Sequence, residues 1–193
     1  MAFDLDAALR IRRHDPGRTL ARRPDAELPY LGDAAVAGSG LLLDTCVYID
    51  QMRGTAPDMV EQLIDIRIVN HSMVAVQELM FSIGALAEDD RRTPAAIAAI
   101  GALISAIPAH RRFAPDADVL ARAAVYAGLL ARRQGYARDD RMKALQDCVL
   151  LLQAEKLGLT LLSANAAEFD ILLQIRPTAR VLLYRPVAAP RAV

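Results

Sequence analysis

Two cysteines, Cys46 and Cys148, are all the chain contains. That is too few for a disulfide scaffold, and each sits directly beside apolar residues, so both read as reduced thiols packed in the core of a cytoplasmic protein. Without histidines at ligand spacing, they also argue against a zinc site. An excess of one charge is lacking too: 23 basic residues balance 23 acidic ones. Any attraction to nucleic acid must therefore come from a local patch rather than from the whole surface. No charged start leads into a long apolar run, and no uncharged apolar stretch reaches the ~18 residues that suggest a membrane span. Neither a signal peptide nor a membrane partner is expected. A glycine loop following a strand is missing as well. Gly38-Ser39-Gly40 precedes an apolar strand, whereas a dinucleotide-binding loop must come after one.

What is present is 193 residues, 54% of them hydrophobic, enough for one domain with a full core and an appendage. Residues 1–40 differ from the rest. They carry dense alternating charge (Arg10, Arg12, Arg13, Asp15, Arg18, Arg22, Arg23, Asp25) with proline and glycine. Leu5, Ala8, Leu9 and Arg12 have helical spacing, so a short helix from about Asp4 to Arg13 is expected. The remainder reads as a solvated, partly mobile arm. Residues 41–186 read as the domain proper and 187–193 as a tail.

From Leu41 strands and helices alternate. Leu41–Asp44 is a short buried strand. Thr55 and Pro57 start a helix carrying Met59, Val60, Leu63 and Ile64 on one face. Ile66–Asn70 is a second strand, and Ser72 caps a helix from Met73 past Leu86. Thr93-Pro94 starts an alanine-rich helix to Ala106, and Pro115 another that stops near Gly135. Lys143–Lys156 is a helix ended by Gly158. Leu159–Ser163 is a strand, Ala166–Leu173 a short helix and Arg180–Tyr184 a last strand. This order predicts an α/β fold: a short, mostly parallel central sheet with helices on both faces, three layers in all, preceded by a charged arm.

Three acids sit awkwardly against hydrocarbon: Asp44 after Leu41-Leu42-Leu43, Glu78 after Met73-Val74-Ala75-Val76-Gln77, and Asp147 within Ala144-Leu145-Gln146-Asp147-Cys148-Val149-Leu150. An unpaired ionised carboxylate in such surroundings is costly. In a parallel sheet, ligands lie beyond the carboxyl ends of the strands. Asp44 ends the first strand and Asn165 follows the Leu159–Ser163 strand, so both belong to one edge, and Glu78 comes soon after the second strand. Several carboxylates around one pocket stay ionised together only if a divalent cation neutralises them. Oxygen-only ligands favour Mg2+ or Mn2+, and the chemistry that follows is metal-dependent phosphodiester hydrolysis.

Leu42-Leu43-Asp44-Thr45 resembles the opening strand of PIN-domain ribonucleases. Ser72-Met73-Val74-Ala75-Val76-Gln77-Glu78-Leu79 is similar to their second acidic motif, and Leu145 to Ala154, with Asp147, to their third. Lys156 to Asn165, followed by Glu168-Phe169, resembles their closing helix, glycine, strand and polar turn. The resemblance covers roughly Leu41 to Pro186 and is strongest to VapC-type toxins of bacterial toxin–antitoxin pairs. It implies a compact α/β/α domain that cleaves RNA endonucleolytically with Mg2+ or Mn2+. It implies Asp44, Glu78 and Asp147 as metal ligands, Asn165 at the fourth acidic position with Glu168 or Asp170 as substitutes, and Thr45 and Ser163 as supports for Asp44 and Asn165. It also implies a homodimer, with apolar helices between Val60 and Leu103 as candidate surfaces, and an antitoxin that lays a helix in a groove. Two features depart from it: the arm before Leu41 and the long stretch between Glu78 and Asp147. The arm could cover the active-site edge, extend a dimer interface or hold a partner.

Simpler readings stand beside these. Asp44 can cap the segment after it, Glu78 can be a solvated helix residue, and Asn165 can be a turn or cap. Glu168 and Asp170 read as a surface helix face. His71 reads as a hydrogen-bonded structural residue, while His14 and His110 suggest nothing specific. Arg132, Arg133, Arg138, Arg141 and Lys143 cluster just before Asp147; Arg138, Arg141 and Lys143 are the candidates for holding RNA phosphates, against a solvated helix end. Only Tyr126 and Tyr136 lie near, so no base-stacking platform is indicated. Two other functions remain open: an inactive PIN-like module that binds RNA or protein, and a DNA-directed, structure-specific nuclease. A haloacid-dehalogenase-type phosphatase does not fit, because Asp44-Thr45-Cys46 lacks the second acid two residues on.

Overall fold

A computed structural model describes residues 4–32 and 38–189; the parts of the arm and tail at 1–3, 33–37 and 190–193 lie outside it. Five strands form one all-parallel sheet in the order β3-β2-β1-β4-β5. They are β1 (Leu41–Leu43), β2 (Val69–Ser72), β3 (Arg112–Phe113), β4 (Thr160–Ser163) and β5 (Val181–Leu183). β1 is central, with Leu42 opposite Asn70 on one side and Leu161 on the other. A central parallel strand is buried on both faces, which is why β1 is uninterrupted leucine. Alternation then sends its side chains to two cores.

Leu42 packs with apolar residues of α6 (Ala117–Gln134), α7 (Asp140–Lys156) and α8 (Ala166–Ile175). Leu41 and Leu43 pack with α2 (Thr45–Arg53), α3 (Asp58–Ile66), α4 (Met73–Gly84) and α5 (Thr93–Ala106). The expected three-layer α/β/α architecture is therefore present. Gly135 and Gly158 end α6 and α7 with φ of 67° and 70°, a conformation that glycine enters without the steric cost a side chain would add. No helix among the described residues is long and apolar enough to cross a membrane.

Some boundaries differ from expectation. The second strand is Val69–Ser72 rather than Ile66–Asn70. Ile66 completes the last turn of α3, where the Arg67 amide bonds the Leu63 carbonyl, and the strand register with β1 starts at Val69. Asp44 lies just past β1 and caps α2, a helix that the sequence pattern does not reveal. The edge strand Arg112–Phe113 is too short to show a period.

The arm lies on the domain. Asp4 caps α1 (Leu5–Leu9), accepting from the Ala7 amide at 3.0 Å, and a tighter turn follows over Arg10–His14. Both pack against α6, and Ala8, Ile11 and Leu28 are buried. Asp15 accepts hydrogen bonds from Arg132 and Arg133 at 2.7–2.9 Å. Arg23 donates through its backbone and side chain to Asp170 at 2.7 and 2.6 Å. The Leu31 amide bonds the Leu183 carbonyl, and the Leu183 amide the Pro29 carbonyl. Residues 29–31 thus run beside β5 and cover a sheet edge that would otherwise offer unpaired backbone groups. Solvation of the arm was the expectation from its charge; the structure instead spends much of that charge on anchoring ion pairs.

Candidate active site

β1 and β4 are neighbours, so the turns leaving their carboxyl ends meet. Asp44 leaves β1 with its amide bonded to the Leu162 carbonyl at 3.0 Å. Its carboxylate is buried and held by three donors: the Thr45 amide at 2.7 Å, the Ser163 hydroxyl at 2.5 Å and the Cys46 thiol at 3.1 Å. Burial pushes its pKa up, and those three hydrogen bonds oppose the rise. Asp44 is therefore both a helix cap and a member of the acid set.

Glu78 reaches the same place from α4. Ser72 ends β2 and caps α4 through the Val74 amide at 3.0 Å, which brings the next turns of helix back past β1. The Thr45 hydroxyl donates to the Glu78 carboxylate. Burial again raises the pKa, Thr45 opposes it, and the Asp44 charge raises it further. Asp147 comes from α7, where nearly every neighbour is buried. The Asn165 amide nitrogen donates to it at 3.3 Å. Its pKa is pushed well up by burial, then by the negative charges of Asp44, Glu168 and Glu78, with Lys143 opposing. Asp44, Glu78, Asp147 and Asn165 thus share one electrostatic neighbourhood.

Asn165 caps α8, its side-chain oxygen accepting from the Glu168 amide at 3.4 Å. In this arrangement it presents nitrogen, not oxygen, to the acids. Ser163 supports both sides, donating to Asp44 and accepting from the Asn165 amide at 2.9 Å. Thr45 supports Asp44 with its amide but spends its hydroxyl on Glu78.

Glu168 and Asp170 are not a surface helix face. Glu168 is half-buried, accepts from the Tyr136 hydroxyl at 2.6 Å and acts on Asp147. Asp170 is fully buried and bound to Arg23, so it anchors the arm. The i, i+3 spacing of Asn165 and Glu168 could have shown that both share one helix face; nothing local marks Tyr136 as the partner of Glu168. Cys46 is more than core filling, because its sulfur donates to Asp44 and accepts from the Ala164 amide at 3.2 Å. His71 is structural as expected, bonded to the Tyr48 hydroxyl at 2.7 Å and pushed down to about 4 by burial and Arg112.

The basic cluster divides. Arg132 and Arg133 hold Asp15 of the arm. Arg138 and Arg141 are exposed and line a cleft of about 580 Å³ between α6 and α7. Lys143 is exposed one turn before Asp147 and is the cation whose charge reaches that acid.

The donor chemistry fits a hard divalent cation: oxygens only, with burial and like charge both opposing ionisation until a cation offsets them. Among the described residues, however, no group of three or more His, Cys, Asp or Glu side chains stands ready-made for a metal ion.

Taken together, the sheet order, the layers and the acid-lined edge define a PIN-like α/β/α domain. No protein-family model and no curated protein matches the chain. Solved structures do. FitAcB from Neisseria gonorrhoeae superposes with a TM-score of 0.53 at 19% identity, covering 74% of this chain and 96% of that one. FitAB bound to an IR36 DNA fragment gives 0.50 at 17%, covering 75% and 94%. DNA-bound VapBC from Salmonella typhimurium gives 0.49 at 16%, covering 76% and 98%. At these identities the likeness is one of fold.

Proposed function

We propose that the chain is a metal-dependent endoribonuclease and the toxin of a toxin–antitoxin pair. The observation that carries this is the convergence of Asp44, Glu78 and Asp147, from three separate elements, at the carboxyl edge of a PIN-like sheet. The four motifs that resemble those of PIN-domain ribonucleases support it. So does the likeness of fold to FitAcB and FitAB, both toxin–antitoxin assemblies. Asp44, Glu78 and Asp147 would hold Mg2+ or Mn2+, with Glu168 rather than Asn165 as the further acid. A cation bound there would lower the pKa of an attacking water and stabilise the leaving oxygen of a phosphodiester.

The chain's own residues do the rest. Ser163, Cys46 and the Thr45 amide fix Asp44. The Thr45 hydroxyl fixes Glu78, Asn165 orients Asp147, and Tyr136 holds Glu168. Lys143 lies where it would attract an RNA phosphate toward the acids. Exposed Met80, Phe81 and Ile97 on α4 and α5 offer an apolar surface for a second copy or an antitoxin.

The test is RNA cleavage by purified protein with Mg2+ or Mn2+. Cleavage is expected, with a drop of at least about a hundredfold on Asp44→Asn or Asp147→Asn. Cleavage that persists in both variants would sink the site assignment. One observation favours a second reading, a binding module without turnover: Asn165, at the fourth position, presents its side-chain nitrogen rather than an oxygen to Asp147. Calorimetric titration with Mn2+ separates the two, since such a module needs no tight metal site.

A further inference from the structure

Away from the acids, α1 and the turn after it roof a cavity of about 170 Å³ whose floor is the domain itself. Arg10, Arg13 and His14 line it from the arm, and Arg122, Tyr126 and Arg176 from below. Tyr126 is 2% exposed, and its hydroxyl is the sole buried side-chain oxygen or nitrogen without a hydrogen-bond partner among the described residues. A buried hydroxyl left unsatisfied costs stability, so a protein that keeps one at a cavity wall invites the question of what completes it. The Arg176 guanidinium acts on this hydroxyl as a loose hydrogen-bond donor, short of a well-formed bond, and the His14 ring lies 6.2 Å from the tyrosine ring.

The cavity is electropositive. Asp118 accepts from Arg122 at 2.9 and 2.7 Å, and Glu155 from Arg176 at 2.9 and 2.8 Å. Each pair uses the Nε and Nη2 edge and leaves Nη1 outside it. Among the described residues, Arg10 has Asp4 at 3.9 Å as its ion-pair partner, and Arg13 bonds its neighbour His14 at 3.3 Å. Burial and the charges of Arg176 and Arg13 press the His14 pKa down. Guanidinium forks match the oxygens of a phosphoryl group. At about 30 Å³ per water, the cavity holds one such group with a few waters and no nucleobase.

We propose that this cavity binds a phosphate-class oxyanion, clamped by Arg10 and Arg13 of the arm against Arg122 and Arg176 of the domain, with the Tyr126 hydroxyl donating to it. The ligand is then part of what seals the arm, because its walls come from both.

The experiment is calorimetric titration and thermal melting of the full chain with inorganic phosphate, at constant ionic strength set by chloride. Saturable binding and a rise in Tm are expected. Arg13→Gln should weaken binding about tenfold or more, as loss of a charge-assisted hydrogen bond does. Tyr126→Phe should also weaken it, yet leave Tm in phosphate-free buffer close to unchanged, since the hydroxyl makes no well-formed hydrogen bond there. Adenosine 5′-monophosphate in place of phosphate distinguishes the source. Equal or weaker affinity identifies the free ion, and tighter binding a nucleotide whose base stays outside the cavity; either supports the site. No saturable binding of either anion, or wild-type affinity in both variants, overturns it.

Discussion

Asp147 shows how a single side chain can be stable only on a condition. It is buried in α7, and its neighbours Asp44, Glu168 and Glu78 carry its own sign of charge. Its folded pKa lies above the ordinary value of 3.8. A carboxyl raised in this way favours the folded state while protonated and loses that contribution as pH rises from the ordinary value through the folded one. In chelator, Asp147→Asn should therefore melt higher than wild type at neutral pH and show less loss of stability across that rise. It should also abolish any Tm increase given by Mn2+. A variant that melts lower in chelator, with Mn2+ stabilisation intact, would contradict the account. Asp44 and Asp147 were legible in the sequence because each breaks a run of hydrocarbon. Tyr136 was not, since its role depends on a contact with Glu168 from another element. Asp170 was misread because buried acids and exposed acids look alike until the partner, Arg23, is known.

At the scale of elements, punctuation marks were the dependable signals. Thr93-Pro94 and Ser72 mark the starts of α5 and α4 as the structure has them, and Gly135 and Gly158 mark stops. Apolar runs were less dependable: Ile66–Asn70 alternates like a strand, yet its first residue closes a helix. Ser72 repays attention because it serves two elements. Its hydroxyl caps α4 and donates to Gln153 of α7 at 2.6 Å, so it ties together the helices bearing Glu78 and Asp147. Ser72→Ala should cost about 1–2 kcal/mol, the usual range for a lost cap with a buried partner left unmet. Urea melts measure that cost. Weaker Mn2+ binding should accompany it if the tie aligns the acids.

For the whole molecule, the arm is the part that composition alone misrepresents. Its charges look solvated in sequence and turn out to be matched by partners more than a hundred positions away. Arg23→Gln leaves Asp170 fully buried with fewer donors. The loss should be about 2 kcal/mol, below the usual cost of breaking a buried pair because the Arg23 side chain is a third exposed and its amide still donates. Asp170→Asn in the same chain should recover part of it in a double-mutant cycle. Acid should loosen the other anchor. Arg133, the Gly17 amide and Arg132 hold the Asp15 pKa down to about 2. A depressed carboxyl stabilises the fold above its ordinary value, and that contribution fades as pH falls from 3.8 through about 2. The urea midpoint of wild type should fall more steeply across this window than that of Asp15→Asn, which lacks the titrating group.

The pairing of residues 29–31 with β5 also sets an order of assembly. Contacts between distant parts of a chain must wait for the loop between them to close, and they slow folding accordingly. On the ribosome the arm emerges before the domain, and β5 is the last strand of the sheet to be made. A nascent chain can bring Asp44, Glu78 and Asp147 together before Tyr30 has a strand to lie against. Residues 29–31 are thus secured only once β5 exists, and until then β5's outer edge lacks that cover.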